Sequence, residues 1–78
     1  MKIECDMKVI YSRIKAAAAL RGVSIKSICE AIGRPHLWAT MSKGYETSII
    51  SIYKICKYLD VSIDYICGRT EHMQVWQD

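Results

Sequence analysis

The stretch from Ser24 to Gly44, SIKSICEAIGRPHLWATMSKG, constrains this chain most, because it divides into two short helical patterns. Ser24 is a good N-cap, since its hydroxyl can accept a hydrogen bond from a backbone N–H that the first helical turn leaves free. Gly33 is typical of the left-handed residue that ends a helix. The first half of the stretch therefore predicts a short helix. Its apolar face has the spacing of one side of a helix and consists of Ile25, Ile28, Cys29 and Ile32.

The second half of the stretch predicts a helix over residues 36–43. Pro35 lacks an N–H and cannot continue the first helix, but its fixed φ suits the first position of a second helix. Trp38 and Met41 are three residues apart, which places both on one side and predicts that they anchor this helix to a core. A helix, a glycine-containing break and a second short helix are typical of a helix-turn-helix, whose second helix enters the DNA major groove.

Three further helical patterns flank this stretch and predict an all-α fold with five helices. Residues 8–20, KVIYSRIKAAAAL, contain four consecutive alanines, which have the highest helix propensity. Residues 49–59, IISIYKICKYL, form the most apolar pattern and are predicted to be the spine of the core. A single short helix follows within IDYICG. The predicted caps of these three helices are Asp6, Ser48 and Ser62, and the predicted apolar faces are Ile10, Ile14, Ala17 and Leu20 (or Arg21) in the first and Ile49, Ile52, Ile55, Cys56 and Leu59 in the fourth.

The length of 78 residues allows one domain, which we expect over residues 8–68. Residues 1–7 are expected to form a flexible N-terminal end and residues 69–78 a C-terminal tail. No apolar run approaches the length needed to cross a bilayer, and the polar start MKIECD does not resemble a signal peptide. We therefore expect a cytoplasmic protein that does not contact membranes.

The cysteines and histidines do not form a recognisable reactive site. The four cysteines, at positions 5, 29, 56 and 67, match no C-x-x-C ligand pair, so Cys29, Cys56 and Cys67 are expected to be small buried hydrophobes. His36 and His72 have no nucleophile or carboxylate at the spacing of a catalytic motif, and no glycine-rich phosphate loop is present. We therefore expect no enzyme activity, catalytic residue, metal, cofactor or small-molecule substrate.

The net charge of +3 is unevenly distributed along the chain. Residues 8–57 hold nine basic and two acidic side chains, a net charge of +7, whereas residues 1–7 and 58–78 are acidic. The positive charge thus coincides with the two-helix stretch, which indicates a polyanionic partner. The alternative is an ordinary solvated face on which lysines serve solubility.

Two segments resemble the phage-repressor and Cro-like helix-turn-helix family, also called the XRE type. They are RIKAAAALRGVS, residues 13–24, and SIISIYKICKYLDVSIDYICGRT, residues 48–70. The second is similar to the recurring family ending S-x-x-T-L-x-K-I-A-K-A-L-G-V-S-L-D-Y-L-L-G. The resemblance spans residues 10–70 and implies a compact five-helix repressor-like domain that binds DNA through helices 2 and 3.

The chain departs from the family pattern in the part that would read DNA. Ile25 stands where the family often has Gln, so a contact made by that amide is absent. Arg34 and Pro35 replace the hydrophobic residue that usually follows the turn glycine, and residues 33–44 are one residue shorter than the usual pattern. These departures favour a second function, a helix-turn-helix-fold protein-interaction module (antirepressor or antitoxin-like) with little direct DNA readout.

The side chains around the second helix of the motif suit two kinds of DNA contact. Thr40 can hydrogen-bond a base edge and place its methyl group against thymine, and His36 can donate to guanine. Arg34 and Lys43 suit phosphate, where charge matters more than hydrogen-bond pattern. The predicted base-edge residues are His36, Leu37, Ala39 and Thr40, and the predicted phosphate residues are Ser24, Lys26, Arg34, Lys43 and Tyr45.

These features lead us to expect a sequence-specific transcriptional regulator, a repressor that binds a short palindromic operator in double-stranded DNA as a homodimer. A short recognition helix without Asn or Gln reads few bases, and two copies would place such helices roughly 34–36 Å apart. The alternative for Ile63 and Ile66 is that they complete the monomer core. The predicted contact between copies consists of Tyr58, Ile63, Tyr65, Ile66, Met73 and Trp76.

Overall fold

A computed structural model describes residues 6–71, which fold into five helices with no strand among them. The predicted all-α fold is therefore confirmed. The predicted flexible end and tail fall mostly on residues 1–5 and 72–78, which lie outside the described residues, as do Met73 and Trp76. The prediction is wrong for Met7, which begins the first helix and is buried. The helices are α1 (Met7–Arg21), α2 (Ile25–Ala31), α3 (Leu37–Ser42), α4 (Ile49–Leu59) and α5 (Ile63–Ile66).

Local capping interactions set the starts of four helices as the sequence predicts. In each case a side-chain oxygen accepts a hydrogen bond from a backbone N–H in the first turn, which satisfies a donor that the helix itself cannot pair. The donor N–H belongs to the second residue after the cap in α1 and to the third residue after the cap in the other three helices. The caps are Asp6 for α1, Ser24 for α2, Ser48 for α4 and Ser62 for α5.

Helix α1 is the centre of the packing, since it contacts each of the other four helices. Ala17 and Ala18 are buried in it, and their short side chains allow neighbouring helices to approach closely. Helix α4, which the sequence predicts as the spine, packs on α1, α2 and α5. Both helices contribute fully buried isoleucines, Ile14 and Ile55. The core thus lies between α1 and α4 and is closed by the three shorter helices.

The prediction of burial is wrong for two residues, because each lies beside the buried face of its helix. Leu20 is 69% exposed, and Ala18 occupies the buried position at the end of α1 instead. Ile49 is 66% exposed, and the buried residue in the first turn of α4 is Ser51. The rotation of each helix about its own axis depends on its neighbours, and hydrophobic spacing alone did not determine it.

Burial also corrects the predicted contact between copies. Tyr65 and Ile66 are buried within the monomer, so neither is available to a second copy. The alternative that Ile66 completes the monomer core is confirmed, whereas Ile63 and Tyr58 remain exposed.

Candidate nucleic-acid interface

The turn between α2 and α3 is held by backbone hydrogen bonds around Gly33. Gly33 has φ +82°, the left-handed conformation that the sequence predicts for it and that glycine adopts without steric strain. The Arg34 N–H donates to the Cys29 carbonyl oxygen at 2.9 Å, which closes the end of α2. The chain is thereby fixed in direction as it leaves α2, and the position of α3 follows from this turn.

Helix α3 begins one residue later than predicted. Its first residue is Leu37, and His36 is an N-cap whose side chain makes no capping hydrogen bond. The Leu37 N–H donates to the Arg34 carbonyl oxygen at 3.0 Å, so Pro35 and His36 lie in a separate turn. Pro35 therefore does not lie at the first position of α3, although its fixed φ suits that position, because the separate turn comes between Gly33 and the helix.

Leu37 is predicted to contact base edges, and this prediction is wrong. Leu37 is only 4% exposed, because it lies on the side of α3 that packs against the core. Leu37 and Met41, four residues apart, form the buried side of α3, and Trp38 packs against the core from the edge. Leu37 therefore provides an apolar anchor for α3. Met41 is confirmed as an anchor.

The other predicted base-edge residues remain accessible on the outer side of α3. His36 is exposed, and Ala39 and Thr40 are partly exposed. A shallow groove of about 180 Å³ joins the turn to this side of the helix, with His36 and Thr40 both in its wall. An imidazole and a hydroxyl in the wall of one groove can form hydrogen bonds with neighbouring polar groups of a ligand. The full lining is Gly33, Arg34, Pro35, His36, Leu37 and Thr40.

A hydrogen-bond chain fixes the guanidinium group of Arg34 beside this groove. Nη1 of Arg34 donates to Oγ of Ser51 at 3.2 Å, and Oγ of Ser48 donates to the same oxygen at 3.1 Å. Ser51 is a buried polar residue, 3% exposed, in the first turn of α4. Because one end of the guanidinium is held, its remaining N–H groups point from a defined place, which favours recognition of an anion such as phosphate.

Sequence reasoning missed Ser51. It lies within an apolar run and has no motif that marks it, apart from its position three residues after the capping Ser48. That spacing predicts a backbone donor for the cap, which is present at 3.2 Å, but not a contact with Arg34. The contact joins residues that are 17 apart in the chain and depends on how α2 packs on α4.

The other predicted phosphate residues differ in how their polar atoms are used. Lys26 and Lys43 are exposed, as is Tyr45, whose backbone N–H donates to the Thr40 carbonyl oxygen at 3.2 Å. The Ser24 hydroxyl accepts a hydrogen bond from the Ser27 N–H, so its oxygen already serves as a cap. Its hydroxyl hydrogen is the part of Ser24 that suits a phosphate.

Two of the basic residues counted in the sequence have partners within the protein. Arg13 forms an ion pair with Glu71 at 2.9 Å, and the hydrogen bond to that carboxylate raises the pKa of Arg13. Nε of Arg21 donates to the Leu59 carbonyl oxygen at 3.0 Å, at the C-terminal end of α4. Both arginines are therefore engaged within the protein, and the positive charge near α2 and α3 comes from Lys26, Arg34 and Lys43.

The thiol of Cys29 lies at the contact between α2 and α3. Burial raises its pKa, and a hydrogen bond with the backbone of Trp38 lowers it by a smaller amount. The prediction of small buried residues is confirmed for Cys29 and Cys56, whereas Cys67 is only partly buried. A small side chain here lets α3 lie close against α2, which positions the groove.

Within residues 6–71 no three histidine, cysteine or acidic side chains lie close enough together to hold a metal ion. None of the five helices has the length and apolar character needed to span a membrane. Comparison with known proteins finds no matching family model, no similar curated protein and no similar solved structure. The resemblance to the phage-repressor family therefore rests on the sequences of residues 13–24 and 48–70.

Proposed function

We propose that this protein is a sequence-specific DNA-binding transcriptional regulator, a repressor of the phage-repressor and Cro-like type. It binds a short palindromic operator as a homodimer and has no enzyme activity. The observation that carries the proposal is the juxtaposition of Arg34, held by Ser51, with the accessible His36 and Thr40 at one groove. The cytoplasm, where bacterial and phage operators lie, is its proposed location.

The division of labour follows from the chemistry of each group. The fixed guanidinium of Arg34 and the exposed ammonium groups of Lys26 and Lys43 suit phosphates, which set affinity and register. His36 and Thr40 suit base edges in the major groove. The small side chain of Ala39 allows α3 to approach the bases closely. The six residues of α3 read few base pairs in one copy, which is why the proposal includes two copies.

Selection of binding sites from random duplex DNA tests this function. The expected result is an enriched palindrome with half-sites about one helical turn apart. The affinity for the selected site should fall with salt, by a logarithmic slope of about −0.9 for each phosphate contact. A selection that returns no preferred sequence at low ionic strength would overturn the proposal.

A second candidate function is a protein-interaction module with the same fold. Large exposed side chains on α4 and the loop before it favour this alternative, namely Tyr45, Ile49, Ile50 and Tyr53. Leu37 does not favour this alternative, since it is buried and cannot contact a partner protein. Pull-down from lysate with and without nuclease separates the two functions. Partners that survive nuclease treatment support the module, and loss of all partners counts against it.

A further inference from the structure

The side of α4 that faces away from the core carries exposed apolar residues in a line with lysines. Because residues three and four apart share a helix face, Ile50, Tyr53 and Lys57 lie in one row, opposite the buried Ile52 and Ile55. We call this side the α4 outer face. It consists of Ile49, Ile50, Tyr53, Lys54 and Lys57, all of which are exposed.

The charges at the two ends of the α4 outer face have opposite signs. Glu46 is exposed and lies just before the N-terminal end of α4, whereas Lys54 and Lys57 lie towards its C-terminal end. None of the three takes part in an ion pair within residues 6–71. Unpaired charges that flank an apolar centre are typical of the rim of a protein interface.

This arrangement is complementary to itself under a two-fold axis. If two α4 helices lie antiparallel, with the axis between Ile50 and Tyr53, then each Ile50 meets Tyr53 of the partner subunit. The same axis brings Glu46 towards Lys57 of the partner subunit at both ends, as a closed symmetric contact requires. A parallel arrangement would instead place Lys57 against Lys57 of the partner subunit, which like-charge repulsion disfavours.

We propose that the α4 outer face is the surface through which two copies of this chain associate, with their α4 helices antiparallel. The apolar centre supplies the attraction, and the charges select the orientation and register. One face of a single 11-residue helix makes a small contact, so we expect a dimer that forms and dissociates readily in the absence of DNA. The α4 outer face thereby supplies the contact that the homodimer of the proposed function requires.

The test is the oligomeric state of the full chain without DNA, measured by sedimentation under reducing conditions up to about 1 mM chain, where even a weak transient contact is half-formed. The wild type is expected to show a reversible monomer–dimer equilibrium. Glu46→Lys and Lys57→Glu should each raise the dissociation constant, and Tyr53→Lys should raise it at least tenfold. The double variant that carries both charge reversals should return to within about threefold of the wild type, because the pair is restored with opposite polarity.

Leu20→Lys is the matched control, since Leu20 is a large apolar residue with similar exposure that lies on α1. It should dimerise as the wild type does. All the substituted positions are exposed, and circular dichroism checks that each variant is folded. A wild type that stays monomeric, or a Tyr53→Lys variant that dimerises normally, would overturn the proposal. A double variant that does not recover would overturn the antiparallel register. A chain that dimerises as expected but selects no DNA would refute the proposed function alone.

Discussion

The guanidinium group of Arg34 and the buried hydroxyl of Ser51 form a hydrogen bond of 3.2 Å that ties the turn before α3 to the first turn of α4. Ser51 also accepts a hydrogen bond from Ser48, the residue that caps α4. The N-terminal end of α4 and the proposed DNA-binding groove are therefore joined by side chains as well as by packing. The groove is thus built from residues that lie in distant parts of the chain.

Ser51→Ala should weaken operator binding through Arg34. The substitution releases the guanidinium, so fewer of its conformations place it at a phosphate, and we expect an affinity loss of about three- to tenfold. Loss of the buried hydrogen bond should also cost about 1 kcal/mol of folding stability. A double-mutant cycle of operator binding with Arg34→Ala measures the coupling. Additive effects of the two substitutions on binding would show that Ser51 does not act through Arg34.

His36→Ala and Thr40→Val should change which sequences are bound. Each removes a hydrogen bond to a base edge, and the expected cost on the selected operator is about 1–3 kcal/mol, with relaxed preference at one position of the site. Lys26→Ala is the matched control, since loss of a phosphate contact weakens all sequences alike and makes the salt slope shallower by about 1. Competition binding against operators with single base changes distinguishes the two results. Uniform weakening by both α3 variants would contradict base readout by this helix.

Leu37→Ala should destabilise the fold even though Leu37 lies in the wall of the groove. Its side chain is almost completely buried, so truncation leaves a cavity between α3 and the core and should cost about 2–5 kcal/mol. Urea unfolding followed by circular dichroism measures this loss. Leu20→Ala provides the comparison, because that leucine is exposed and its truncation should change stability by less than about 0.5 kcal/mol. Equal effects of the two substitutions would mean that Leu37 is not a core residue.

Stability should fall as the pH rises above 9, in part because of Cys56. Burial, and to a smaller extent the nearby Cys67, raises the pKa of the Cys56 thiol from 9.0 to about 11. Between these values the unfolded chain has lost the thiol proton while the folded chain retains it, so rising pH favours unfolding. The expected loss is on the order of 2 kcal/mol by pH 11.

Urea unfolding of the wild type and of Cys56→Ala between pH 8 and 11 checks this pH dependence. The Cys56→Ala variant should show a shallower decline, whereas Cys67→Ser should keep most of it, since burial is the larger cause of the shift. If the wild type and Cys56→Ala decline in parallel, the thiol does not contribute to the loss of stability.

Local sequence signals predicted the helices and their boundaries well. Ser24, Ser48 and Ser62 cap their helices, and Gly33 has the expected left-handed conformation. Each of these features depends on atoms within a few residues along the chain. The sequence also predicts His36 and Thr40 at the start and in the middle of a short helix, and both are at least partly exposed.

The sequence alone determined five helices, their caps and a basic stretch around the helix-turn-helix pattern, because periodicity and capping are local properties. Only the tertiary structure decided how far each helix rotates towards its neighbours. That rotation buries Leu37 and Ser51 and exposes Ile49. It also brings Arg34 to Ser51 and engages Arg21 with the end of α4. Such contacts depend on the simultaneous packing of several helices, and no spacing within one segment specifies them.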